Sequence, residues 1–220
     1  YKSVPIASGS LILRGRNNYA EISRLRATSP FGFINGNIQF THFHNKIQSL
    51  ASIRYDIDAE LPIKYARKLV SDKIESTFAA FSSEQPATIS FNGAQFRESL
   101  YPQYQDKSYV NLAIDSNGPV SYWGNPLDYL RFNLTTAGDL VSIRELYFGY
   151  ASGTGSGGID ILNSEYSPKF CTQLSLKDAD YNLALTSIKV NNNFRQKIKN
   201  PATNDELPSK ININLHAKGP

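Results

Sequence analysis

The sequence predicts a mainly β protein with one or two helices, an α+β chain built on a curved antiparallel sheet that forms an open groove (a β-taco) or a sandwich. Two observations carry this. Four segments alternate apolar and polar residues: Ile34 to Phe40, Ile53 to Ala59, Val110 to Asp115 and Ile211 to His216. Side chains alternate faces along a strand, so each describes a ribbon with one oily and one wet face. The links between such segments are short and polar, with Gly, Pro and Asn at the breaks, which favours antiparallel neighbours.

Taken in order, Ser10 to Gly15 reads as a strand that turns through Arg16-Asn17-Asn18 into a second, less regular strand, Tyr19 to Arg26. Pro30 precedes a third strand, Phe31 to Thr41, and His44-Asn45-Lys46 turns the chain into Ile47 to Ala59. The period then changes. After Pro62, Ala66, Leu69, Val70, Ile74, Phe78 and Phe81 recur at three- and four-residue spacing, which predicts a helix over about 63–81 that covers a sheet face or divides two β segments. Strands resume at Ala87 to Gly93, Tyr109 to Asp115, Leu130 to Leu134 and, less regularly, Ile143 to Tyr150. Gly153 to Gly158 reads as a turn into Ile159-Asp160-Ile161. Tyr181, Ala184, Leu185 and Ile188 share a helical face that Asp178 or Asp180 can cap. The polar stretch 191–209, with Pro201 and Pro208, reads as a loop before the last strand. The whole is expected to be one β-rich domain, 1–220. Because it opens at Tyr1 and has no methionine, it is expected to be a fragment of a longer chain.

Apolar residues make up 40% of the 220, enough for a core, and only 19% are charged. That balance, rich in Asn, Ser, Tyr and Phe, predicts an extracytoplasmic β protein. The net charge of +4 is a mild excess, so no nucleic-acid partner is expected. A local basic cluster, Lys189, Arg195, Lys197 and Lys199, reads as a solvated loop or a patch for anionic lipid heads or phosphates. The single cysteine, Cys171, has no internal disulfide partner and is expected as a small buried hydrophobe.

Gly153, Gly155 and Gly158 match the G-x-G-x-x-G spacing, but a strand follows where phosphate binding requires a helix. His42 and His44 share a strand face beside a turn, and His216 is the only other histidine, so no metal site or cofactor is expected. Asp56 and Asp58 also share a face, either as paired carboxylates for glycoside cleavage or as the wet side of a strand. Tyr122, Trp123 and Tyr129 form an aromatic loop that anchors packing or stacks on a ligand. Asn133-Leu134-Thr135 is a formal glycosylation sequon. No catalytic framework emerges, and a non-enzymatic role is expected.

The shared alternation assigns an inner apolar face. On the N-terminal strands it comprises Leu11, Leu13, Ile34, Ile38 and Phe40; next come Ile53, Tyr55 and Ile57, then Val110, Leu112, Ile114, Phe132 and Leu134.

The glycine-punctuated strands Phe33 to Phe40, Ile143 to Gly153 running into Gly157 to Ile161, and Ile213 to Gly219 resemble AsmA-like and TamB-like bacterial envelope proteins. That resemblance spans roughly 120 to 150 residues and is one of texture rather than of a fixed motif. It implies a long curved sheet whose greasy groove conducts phospholipid acyl chains across the periplasm of a Gram-negative envelope, with membrane contact by segments outside this fragment. Two features depart from it: the helix at 63–81, which can fill the groove, and the polar loop at 191–209. The alternatives are a surface adhesin or carbohydrate-binding module resting on Trp123 with Tyr101, Tyr104, Tyr122 and Tyr129, a β-sandwich glycoside-active enzyme using Asp56 and Asp58, and a viral coat or fibre domain.

Overall fold

The computed structural model describes residues 5–43, 46–66, 79–96, 108–162, 169–187 and 210–219. Most of them are strand. The main sheet starts with β1 (Ser8–Arg16), β2 (Tyr19–Ser29), β3 (Gly32–Phe43) and β4 (Lys46–Pro62). After a short helix, α1 (Ile63–Ala66), and a small strand, β5 (Phe81–Ser83), it continues with β6 (Pro86–Phe96) and β7 (Tyr109–Ser116). The small strands β8 (Val120–Tyr122) and β9 (Asn125–Leu127) come next. Then β10 (Leu130–Ala137), β11 (Leu140–Tyr150), β12 (Gly153–Leu162) and β13 (Lys169–Asp180) rejoin the sheet. A second helix, α2 (Tyr181–Ser187), precedes the last strand, β14 (Lys210–Gly219).

Eleven strands form one antiparallel sheet in the order β1-β2-β3-β4-β6-β7-β10-β11-β12-β13-β14, and β5, β8 and β9 form a separate three-stranded sheet. The large sheet follows chain order with no crossover. Its two end strands do not pair with each other, so it is not closed into a barrel.

Register explains why the alternating segments matter. From Leu13 the pairing runs to Ile22, Ile38, Tyr55, Gly93, Val110, Thr136, Val141, Ile161 and Phe170, one residue per strand. A parallel row runs Ala27, Ile34, Ala59, Ile89, Ile114, Phe132. Apolar positions therefore line up across neighbours on one face. The intervening positions give a polar row: Asn37, Asp56, Asn92, Asn111, Thr135, Ser142, Asp160.

Besides the register shifts where β3 meets β4 at Thr41 to Phe43, bulges on β2, β11 and β13 break the alternation. On β2, Ile22 and Leu25 stand three apart while their partners Ile38 and Gly36 on β3 stand two apart. On β11, Ile143 and Leu146 do the same against Ile159 and Gly157, and on β13 so do Leu176 and Ala179 against Ile213 and Ile211. One extra residue would send everything after it to the wrong face; the bulge absorbs it and raises the local twist. A residue with positive φ sits in each: Arg24 at 53°, Glu145 at 49° and Asp178 at 56°. An asparagine on the adjacent strand holds each of the three. The amides of Arg24 and Asp178 donate to Asn37 Oδ1 and Asn212 Oδ1 at 3.1 and 2.8 Å, and Asn133 Nδ2 donates to Glu145 Oε2.

The core centres on the middle strands. Leu112, Ile114, Leu130, Phe132 and Leu134 are buried, and Ile63 and Ala66 of α1 with Val120 of β8 belong to the same cluster. Phe81 and Leu127 of the small sheet pack against it, the Phe81 ring lying 5.9 Å from Phe132. The first amide of α1, on Ile63, donates to Ser83 Oγ at 2.8 Å, which fixes where the helix meets the small sheet.

Several expectations are corrected here. The helix expected to end at Phe81 starts on time at Ile63, but Phe81 lies in β5, where it pairs with Tyr122; residues 67–78 lie outside the described residues. Gly153 to Gly158 is not a turn but the first part of β12, paired on both sides from Thr154 onward. Glycine leaves room there for a neighbour: a side chain at Gly155 would overlap the Phe148 ring. Strand β13 was not expected at all. The second helix does form, at Tyr181–Ser187, and Asp180 Oδ1 caps it by accepting the Leu183 amide at 2.8 Å. The loop expected over 191–209 lies outside the described residues.

Burial predicts a contrast between inner-face residues of the same type. Leu112 is 2% exposed and Leu13 66%. Leu112→Ala is expected to lower unfolding free energy by about 2–5 kcal/mol in urea titrations, and Leu13→Ala by less than about 0.5 kcal/mol.

Candidate functional site

The apolar face is the largest continuous feature of the sheet. Of the thirteen inner-face residues expected from sequence, Ile34, Tyr55, Val110, Leu112, Ile114, Phe132 and Leu134 are buried in the cluster, and Ile38, Ile53 and Ile57 pack against it. Phe40 is half-buried between Ala20 and Ile53 of the neighbouring strands. Leu11 and Leu13 are 53% and 66% exposed. The same face opens again at the far end, where Phe170 on β13 and Ile213 and Leu215 on β14 are 41–49% exposed. The face is thus covered over its middle strands and open at both ends. Sequence reading placed Leu11 and Leu13 on that face but missed Phe170, Ile213 and Leu215 as members. Ile213 and Leu215 were in a recognised strand, and their alternation was the available signal.

A phenol lies within the covered part. Tyr55 lies across Gly93, its ring stacked on Phe91 at 4.5 Å, and its hydroxyl is buried beside Gln95 without a well-formed hydrogen bond. Burial pushes this phenol up to about 12, with Gln95 opposing and Tyr109 adding a little.

On the polar face, Asp56 and Asp58 are exposed, and Asp58 Oδ1 accepts from Ser90 Oγ at 2.5 Å. Further along, Asp160 accepts from Ser142 Oγ and from Arg144, both at 2.7 Å, and Asn111 donates to Asn92 at 3.0 Å. These bonds tie side chains across neighbouring strands, the sheet counterpart of pairing along a helix. Asn133 of the sequon is exposed within β10 and is engaged with Glu145. Cys171 is not the buried hydrophobe expected. It is half-exposed in register with Asp160, because its position on β13 falls on the polar side.

Among the described residues no group of three or more His, Cys, Asp and Glu is placed to hold a metal ion. His216 is exposed on β14 opposite Gln173. His44 and the His42 side chain lie outside the described residues, as do Tyr101, Tyr104 and the basic cluster Lys189, Arg195, Lys197 and Lys199. No helix among the described residues is long and apolar enough to cross a membrane.

The aromatic loop is a hairpin. Tyr122 pairs with Asn125, and the two residues between, Trp123 and Gly124, have φ of 51° and 77°, the signs a type I′ turn requires. Trp123 does not anchor packing: it is 73% exposed, and its backbone amide donates to Ala80 O at 2.8 Å. Tyr122 is 43% exposed, its ring 4.8 Å from Phe81. Tyr129 is elsewhere, half-buried against Gly149.

The Tyr55 phenol makes a pH prediction. Below pH 10 it is protonated in both states; above that the unfolded chain releases the proton while the folded one holds it up to about 12. The stability it contributes is present below pH 10 and is lost as pH rises towards 12. Tyr55→Phe is expected to weaken that alkaline loss without destabilising the protein at neutral pH, as read by denaturation midpoints across pH 8 to about 11.5. No protein-family model matches the chain, and no curated protein or solved structure does either.

Proposed function

We propose that this chain is a non-enzymatic, extracytoplasmic β module that holds or conducts phospholipid acyl chains along its apolar face, as part of an AsmA-like protein of a Gram-negative envelope. One observation carries the reading. The apolar face continues beyond its covered middle to exposed Leu11 and Leu13 at one end and Ile213 and Leu215 at the other. Exposed aliphatic residues at both ends of one continuous face mark a surface that gains from an apolar partner. Covering one such side chain stabilises by roughly 1.5–3 kcal/mol, so an acyl chain is held there without a specific polar contact. The polar row on the opposite face keeps that side in water. On this reading the groove is the open part of the inner face, and α1 with the small sheet closes its middle.

The test is lipid extraction of the purified chain followed by mass spectrometry. Phospholipid is expected to co-purify, and Leu13→Glu or Ile213→Glu to lower its occupancy by about tenfold with strand content unchanged. A well-folded protein that carries no lipid would overturn the proposal.

A second reading, a surface adhesin or carbohydrate-binding module, has one observation in its favour: Trp123 is displayed on a hairpin tip rather than packed, with Tyr122 partly exposed beside it. Tryptophan is a costly choice at positive φ, where asparagine fits the turn. Trp123→Asn is expected to stabilise the fold by roughly 1 kcal/mol. On this second reading the same variant abolishes binding on a glycan array, and an unchanged array dismisses it.

A further inference from the structure

We infer that the depression formed by Arg24, Arg26, Asn35 and Asn37 on the polar face is a binding site for a single phosphate group. The β2 bulge creates it. Leu25 pairs with Gly36 in the inner-face register, and Arg24, Leu25 and Arg26 of β2 line a hollow of about 460 Å³ whose other walls are Asn35, Gly36 and Asn37 of β3. Both arginines are exposed, and neither guanidinium is in a hydrogen bond or ion pair with another described residue. The Arg24 backbone is fixed at φ 53°, its amide bonded to Asn37 Oδ1 at 3.1 Å. That bond uses the asparagine's oxygen and leaves its Nδ2 as a donor. Asn35 pairs in register with Arg26 and has no bond to another described side chain. The site therefore gathers two charged forks and two carboxamides, all able to donate, around one hollow. Guanidinium forks match the oxygens of a phosphate two at a time.

The surrounding charges narrow the ligand. Asp58 lies opposite Asn35 and Asp56 opposite Asn37, one strand beyond the asparagines and two from the arginines, and Glu21 lies further along β2. Strands are spaced about 4.8 Å apart, so a compact phosphate on the guanidiniums stays clear of those carboxylates, whereas a polyanion lying across the strands meets them. A phosphomonoester or inorganic phosphate fits, and a nucleic acid does not. The site is on the face opposite the acyl-chain surface, so it stands or falls independently of that reading.

The experiment is a titration of isotope-labelled protein with inorganic phosphate at low salt, followed by amide chemical shifts. Shifts are expected to concentrate at residues 24–26 and 35–37, with a dissociation constant in the millimolar range (on the order of 1 mM). The double substitution Arg24→Gln with Arg26→Gln is expected to weaken binding at least about tenfold, while Arg14→Gln with Arg16→Gln, which removes the same charge from β1, changes it by less than about twofold. Equal losses in both pairs, shifts spread over every basic strand, or no binding at all would each overturn the site. Co-sedimentation with phosphatidylcholine vesicles, with and without phosphatidic acid, separates the sources of the phosphate. Binding that needs phosphatidic acid and both arginines assigns the site to a lipid headgroup. Phosphate binding without vesicle binding assigns it to a free phosphate.

Discussion

The structure depends on keeping one phase of alternation through eleven strands. A sheet residue one step out of phase faces the wrong solvent, so a single slip would move a strand's aliphatic residues from the oily side to the wet one. Where β2, β11 and β13 carry two residues between apolar positions instead of one, the extra residue is absorbed in a bulge. A neighbouring asparagine stabilises each: Asn37, Asn133 or Asn212. The rows from Leu13 to Phe170 and from Asn37 to Asp160 survive because of these corrections. The bulges also add twist, which a flat eleven-stranded sheet would lack.

Coverage of the apolar face is the second decision, and it is made locally. Antiparallel sheets can leave one face to water, but an aliphatic face needs a partner. Over the middle strands the partner is intramolecular: Ile63, Ala66, Phe81, Val120 and Leu127 join the cluster of Leu61, Ile89, Ile114, Leu130 and Phe132. Small positions are filled from within the sheet, Tyr55 lying across Gly93 and Phe148 across Gly155. The end strands have no such cover, and their Leu and Ile side chains meet solvent. The two faces thus offer different chemistry: a partly open aliphatic strip on one side, and on the other a polar lattice with one arginine-lined hollow where the lattice bulges.

Much of the sheet was readable because alternation is a local signal. Strands β1, β3, β4, β6, β7, β10 and β14 were visible in it, and the irregularity of Tyr19 to Arg26 and Ile143 to Tyr150 was the imprint of bulges. The first half of β12 was hidden because Gly155 and Gly157 occupy inner-face positions with no side chain to show the pattern, while Ile159 to Ile161 in its second half was read as strand. Strand β13 was hidden because Thr172 interrupts its aliphatic series and the bulge shifts its end. The strands β5, β8 and β9 have three residues each, too few to display any period. The arginine hollow had no signature either, since Asn35 and Asn37 reach Arg24 and Arg26 only through strand pairing.

By itself, then, the amino-acid order determined which residues are oily on one side and polar on the other, because that follows from the two-residue repeat of an extended backbone. Only the tertiary structure decided which of those oily residues are covered. Leu13 and Leu112 carry the same side chain in the same alternating setting, yet one is 66% exposed and the other 2%, because exposure is set by what packs above a face. Strand register put Cys171 on the polar side, and a two-residue turn put Trp123 at an open hairpin tip. Register and neighbours, which no single segment encodes, assigned those places.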